Sequence, residues 1–367
     1  MSNNEVLIVY ACRTPVGSLN GSLSTLKASD LGSLLIRNII DKVDKRLVPD
    51  DVLIGQALTS GQGQNPARQS VLNAGLPNTV NATTVNMLCG SGLKACVLGY
   101  QAIKSGDANV VICGGQESMS QAPHCLHLRK ELKMGDAKVT DTMLLDGLTD
   151  AFENVHMGVT AENVALKYGI SRHAQDEFAF NSQRKYAEAF KNGAFESEIV
   201  EVKIRQRNGE RAFSVDEFPR MDTTIEGLSK LKPVFKKENE GGTVTAGNAS
   251  GINDGAAMLL LVSENVAKVN KYKPLVRIAS WAQSGCDPMI MGICPIEAIQ
   301  SAIIKAGWLV DDVDLFEINE AFASQSIAIV KTLGLNEQKV NVNGGSIAIG
   351  HPIGELNKLV MNKIHLF

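Results

Sequence analysis

Val85-Asn86-Met87-Leu88-Cys89-Gly90-Ser91 and Val340-Asn341-Val342-Asn343-Gly344-Gly345-Ser346 carry one pattern twice. In each, an apolar run ends in a turn that opens onto a helix-like segment. The surroundings repeat as well. Val48-Pro49-Asp50-Asp51-Val52-Leu53-Ile54 corresponds to Val310-Asp311-Asp312-Val313-Asp314-Leu315-Phe316, and Ala74-Gly75-Leu76-Pro77 to Leu333-Gly334-Leu335-Asn336. The offset drifts only from 261 residues (Val52 to Val313) to 255 (Val85 to Val340). Such duplication predicts two like βαβ-rich halves packed about a pseudo-twofold axis. Projected from Cys113, the offset of 255 falls one position beyond the last residue. The repeat therefore predicts a second half without its final strand and glycine turn.

Outward from these runs, strand-like and helical segments alternate, which predicts α/β layering. Val6–Tyr10, Ala108–Cys113, Ala257–Val262 and Leu275–Ser280 read as buried strands. Asp30–Val43, Ser91–Ser105, His173–Asn192 and Pro295–Ala306 read as helices. Residues 122–242 are more polar and irregular, with a turn at Arg205–Glu210 and a lysine-rich run at Lys230–Lys237. They read as an insertion between a first half, residues 1–121 and 243–270, and a second half, residues 271–367.

The 367 residues suffice for two or three domains at roughly 150 residues each. Hydrophobic residues make up 44% and charged residues 20%, which argues against disorder. A net charge of −3 with no block of like charge argues against nucleic-acid or membrane-surface binding. No apolar run reaches membrane-span length, and the terminal segments read as neither a signal, a transit nor a peroxisomal address. The expected location is the cytoplasm, with the mitochondrion as the alternative. Seven cysteines without a C-x-x-C pair argue against a disulfide framework. His124 and His127 flank Cys125, a spacing unlike the closed Cys/His sets zinc prefers, so no metal is expected.

Cys89 lies where a strand ends, a glycine-flanked turn follows and a helix begins. The positive helix end there favours thiolate over thiol, and the glycines admit a substrate close to the backbone. The competing reading is a small buried cysteine. His351 lies in the equivalent loop of the second copy, Gly344–Gly354, which a pseudo-twofold axis would bring beside Cys89. A Cys–His pair is the minimum for an activated thiol. Asn319 could orient a water or donate to an oxyanion, or serve only as a helix N-cap. His156, alone, reads as a surface histidine.

Six motifs together resemble the thiolase family, most closely its acetoacetyl-CoA thiolases. They are N-M-L-C-G-S-G-L-K-A at 86–95, G-G-Q-E-S-M-S at 114–120, H-M-G-V-T-A-E-N at 156–163, A-G-N-A-S-G-I-N-D-G at 246–255, N-E-A-F at 319–322 and N-G-G-S-I-A-I-G-H-P at 343–352. The resemblance runs from Glu5 to Gly354. It implies a five-layer αβαβα fold with the insertion as a coenzyme A-binding loop domain. It implies Cys89 as the acyl-accepting nucleophile, His351 as its activator and Asn319 as holder of an oxyanion-hole water. It implies Leu148, His156 and Met157 near the pantetheine, Arg220 and Phe235 toward the nucleotide, Ala246 and Ser250 along the pantetheine tunnel, and Ala321 and Phe322 near the acyl pocket. Phe218, where potassium-activated relatives carry Tyr, argues against a potassium site.

The implied reaction condenses two acetyl-CoA to acetoacetyl-CoA and CoA, or runs in reverse. The coenzyme A thioester is the substrate, no cofactor is expected, and a homodimer or homotetramer is. The family's base is a second cysteine in a Cys-x-Gly-Gly-Gly-x-Gly loop, a motif absent here. The expectation is therefore an acyltransferase with impaired condensation. The competing expectation is a non-catalytic truncated form that binds coenzyme A or complete subunits.

Overall fold

A computed structural model describes residues 5–126, 134, 136–207 and 209–356. His127, Asn208 and the segment after Leu356 lie outside the described residues. The first half contains β1 (Val6–Arg13), β2 (Gly17–Ser18), α1 (Ala28–Val43), β3 (Asp51–Gly55), α2 (Pro66–Asn73), β4 (Asn81–Val85), α3 (Ser91–Ser105) and β5 (Val110–Ser118). The insertion holds β6 (His124–Cys125), β7 (Thr140–Asp141), α4 (Met157–Lys167), α5 (Arg172–Lys191), β8 (Val202–Gln206), β9 (Gly209–Phe213) and α6 (Ile225–Ser229). Then come β10 (Asn253–Ser263), α7 (Glu264–Asn270), β11 (Val276–Arg277), α8 (Pro295–Ala306), α9 (Ala323–Leu333) and α10 (Ser346–Ile349).

The main sheet runs β11-β1-β10-β5-β3-β4, with β2 beside β10. β3 pairs parallel with β4 and β5, while β10 pairs antiparallel with β1 and β5. Every residue of β10 is buried, because helices cover both faces of the sheet. Alternation along the strand sends Met258, Leu260 and Val262 toward α1, and Ala257, Leu259 and Leu261 toward α3. Helix ends follow local chemistry. α3 and α8 stop at Gly106 and Gly307, both in the left-handed region that glycine enters without strain. Pro295 opens α8, where a missing N–H costs nothing.

One strand expectation needs correction. Leu275–Ser280 forms only the short edge strand β11, with Val276 half-buried and Arg277 exposed. It follows Pro274 and pairs with the outer side of β1, so it has no second neighbour to extend it. Among the described residues the second half forms no sheet of its own. Its repeat survives as a core of Ile296, Ile303, Phe316, Ile318 and Ile329 around α8 and α9, and one parallel bridge from Phe316 to Val340. The cysteines also depart from expectation at one place. Cys286 and Cys294 form a disulfide across a short turn whose Cα atoms lie 5.5 Å apart.

A buried ionic cluster ties the sheet to the insertion. Arg13, 2% exposed, donates from Nη1 and Nη2 to Asp216 at 2.7 and 3.0 Å and from Nε to Glu198 at 2.6 Å. The Tyr186 hydroxyl of α5 donates to Asp216 at 3.1 Å. Arg13→Met would remove the counter-charge of two buried carboxylates. The expected cost is about 3–5 kcal/mol, read as a lower urea midpoint at unchanged slope.

Candidate active site

Cys89 sits in the elbow between β4 and α3. Leu88 there takes φ +49°, a left-handed conformation that costs a non-glycine residue about 1–2 kcal/mol. Side chains hold the strained turn. Asn86 Oδ1 accepts from Leu88 N–H at 3.0 Å. Ser91 Oγ accepts from Met87 N–H at 2.8 Å and donates to Leu88 O at 2.6 Å. Cys89 is solvent-accessible, yet its thiol lies among closely packed atoms. Burial pushes the thiol up to about 11, and the nearby Glu117 carboxylate adds to the rise. This reverses the thiolate expected from the helix end. Desolvation and a like charge outweigh the weak field of a helix terminus.

His351 is buried, and its backbone N–H donates to Asn253 Oδ1 at 2.9 Å. Asn253 Nδ2 donates in turn to Gly17 O at 3.0 Å, which anchors the histidine loop on the first half. Asn319 Nδ2 lies 3.3 Å from His351 Nε2. Ser346 Oγ–H donates to Asn319 Oδ1 at 2.7 Å, so the amide is held with its N–H groups toward the imidazole. Asn319 is not an N-cap, since α9 begins after Phe322. Glu320 braces the same turn, accepting from Ser182, Asn341 and Ile347 N–H.

The segment that closes the His351 loop packs against the elements that flank Cys89. A Cβ on Gly92, at the start of α3, would lie 2.7 Å from Leu356 N, and one on Gly115 would lie 2.2 Å from Gly354 O. The segment after His351 thus lies directly against the helix that follows Cys89.

The other expected positions fall into small groups. His156 is half-buried and caps α4, with Nδ1 accepting from Gly158 N–H at 3.0 Å. Its ring stacks on Phe235 at 4.6 Å, and burial pulls its pKa down. It is thus not the plain surface histidine that its local sequence suggests. Met157 is the first residue of α4. Leu148 packs with Leu58 and Ile353, close to the histidine loop. Ser250 N–H donates to Ala321 O at 3.0 Å, and Ala249 bridges Phe322. Arg220 and Ala246 are exposed, with Arg220 N–H docked on Gln183 Oε1 at 2.9 Å.

Sequence reasoning assigned nothing to Asn253, Ser346, Glu320 or Glu117. Glu117 carried a usable signal, a carboxylate ending the apolar run Val110–Cys113 and its glycines. All four lie inside quoted motifs, but the other three act only through folded contacts. Among the described residues, no group of three or more His, Cys, Asp or Glu could hold a metal, and no helix is long and apolar enough to cross a membrane.

A strained cysteine elbow and a histidine–asparagine loop lie on one α/β framework. Comparison supplies the class. The family described as "Thiolase, N-terminal domain" matches residues 6–265, and "Thiolase, C-terminal domain" matches residues 272–365. The chain belongs to the thiolase family. It is 54% identical over 355 residues to an acetyl-CoA acetyltransferase of Chromobacterium violaceum, covering 95% of this chain and 89% of that one. The cytosolic acetyl-CoA acetyltransferase of Mus musculus is 49% identical, with 96% and 89% covered. The human mitochondrial 3-ketoacyl-CoA thiolase superposes with a TM-score of 0.91 at 42% identity, over 96% of this chain and 89% of that one.

These matches correct the expectation of an incomplete second half. The C-terminal thiolase domain is present, and the impaired and non-catalytic readings that rested on its truncation lose their support. The projection assumed a constant repeat offset, although that offset had already drifted by six residues between Val52 and Val85.

Proposed function

We infer that this chain transfers acetyl groups between coenzyme A thioesters, condensing two acetyl-CoA to acetoacetyl-CoA and CoA or catalysing the reverse thiolysis. The observation that carries the reading is the Asn319 amide held toward His351 Nε2 in a loop packed against the Cys89 helix. In the forward direction Cys89 Sγ attacks the acetyl-CoA carbonyl. His351 takes the thiol proton as the S–C bond forms and returns it to the departing CoA sulfur. The Asn319 amide and the imidazole supply donors for the developing oxyanion. His351, neutral again once the first CoA has left, takes an α-proton from the second acetyl-CoA; the enolate carbon attacks the acetyl-Cys89 carbonyl, the Cys89 S–C bond breaks, and His351 returns the proton to the Cys89 sulfur. The thioester is itself the activated group, so no cofactor or metal enters the scheme.

Coenzyme A lies along the insertion in this reading. Leu148, His156 and Met157 flank the pantetheine, Arg220 and Phe235 meet the nucleotide end, Ala246 and Ser250 line the tunnel, and Ala321 and Phe322 bound the acyl pocket. The neutral, stacked His156 suits a contact with an uncharged pantetheine amide. Likeness to the cytosolic mouse relative supports a cytoplasmic location. The open edge of β4 supports assembly as a homodimer or homotetramer. Supplied with acetoacetyl-CoA and CoA, the purified chain is expected to release acetyl-CoA, followed by chromatographic separation of the thioesters. No acetyl-CoA above the enzyme-free blank would overturn the reading.

A further inference from the structure

Glu117 lies near the end of β5, fully enclosed, and no step above uses it. Its Oε2 accepts from Ala57 N–H at 2.8 Å and from Gly354 N–H at 3.0 Å, and its Oε1 from Leu58 N–H at 3.3 Å. Ala57 leads to the cysteine: its carbonyl accepts from Asn86 Nδ2 at 3.2 Å, and Asn86 Oδ1 accepts from Leu88 N–H in the elbow. Gly354 leads to the histidine: it lies three residues after His351, in a turn closed by Glu355 N–H on Pro352 O at 2.9 Å. One carboxylate therefore joins the two loops that carry the reacting pair. The junction has no slack. A Cβ at Gly354 would lie 2.6 Å from Glu117 Oε2 and 2.7 Å from Ala57 N.

The carboxylate does not activate Cys89 electrostatically, since a negative charge there disfavours the thiolate. What it supplies is distance. We propose that Glu117 is a positioning residue that fixes the spacing between the Cys89 and His351 loops for acyl transfer. This rests on the acyl-transfer reading above.

Two substitutions separate spacing from stability. Glu117→Gln keeps an oxygen where the two shorter bonds are made. Glu117→Asp keeps the carboxyl group but withdraws it by one methylene, about 1.5 Å. A misplacement on the order of 1 Å costs about 100-fold in rate. The measurements are the single-turnover rate of Cys89 acetylation by acetyl-CoA, steady-state kcat and KM, and Tm. Glu117→Asp is expected to lower the acetylation rate and kcat by about 10- to 100-fold, with KM for acetyl-CoA within about twofold. Glu117→Gln is expected to stay within about threefold of wild type.

A Glu117→Asp chain that acetylates at the wild-type rate overturns the proposal. So does one that fails to fold, or a pair of variants whose losses simply follow Tm, because the carboxylate is then a structural tie alone. Wild type that forms no adduct overturns the acyl-transfer reading itself and this proposal with it.

Discussion

Cys89→Ala is expected to lower the thiolysis kcat by about four orders of magnitude or more, at nearly unchanged Tm. The size follows from removing the atom that carries the acyl group, a loss that positioning and oxyanion donors cannot replace. No other described cysteine is placed to take over. Cys12, Cys96 and Cys113 are buried, and Cys286 is bonded to Cys294. Burial alone pushes the Cys12 thiol far above its usual range. Cys125 is half-buried beside the exposed His124, away from any elbow. Stability should hold because Cys89 belongs to none of the hydrophobic clusters and the turn is kept by Asn86 and Ser91. Steady-state thiolysis beside a thermal melt checks both halves. A variant within tenfold of wild type would remove Cys89 from the mechanism.

His351→Asn is expected to slow Cys89 acetylation by about 10²–10⁴-fold at pH 7, the range a positioned base supplies. It should also change the pH dependence. With the thiol near 11, the thiolate fraction at pH 7 is on the order of 10⁻⁴, so the proposed mechanism depends on proton removal during attack. Without the imidazole, only pre-formed thiolate reacts. That species is the deprotonated form, so its population rises with pH and levels off above the thiol pKa. The variant's acetylation rate should therefore climb about tenfold per pH unit between pH 7 and 10. Rapid-quench acetylation across that range reads the slope. A flat profile in the variant would contradict a raised thiol with His351 as its base.

Much of this was legible in the sequence because the decisive signals are local. β1, α3, α8 and the buried run of β10 follow from apolar periodicity and from glycine or proline at their ends. α3 and α8 match their expected bounds, Ser91–Ser105 and Pro295–Ala306. The pairing of the Cys89 and His351 loops was legible only through the internal repeat, which reports symmetry and not distance. The protonation state of Cys89 was misread. A helix terminus is visible in sequence, whereas the packing density around a sulfur and the approach of Glu117 exist only after folding. Asn253 and Glu320 were hidden for the same reason: each acts by bonding loops distant in the chain. The Leu275–Ser280 run is apolar enough for a strand, but ladder length depends on the neighbour it finds, and β1 offers two residues of register.

The central claim is that Cys89 accepts the acetyl group. The most direct measurement is incubation of the chain with acetyl-CoA, an acid quench and peptide mass mapping. The account predicts a single acetyl group on the peptide containing Cys89, lost when free CoA is added before the quench. An unmodified Cys89 peptide, or an acetyl group carried only on lysine, would contradict it.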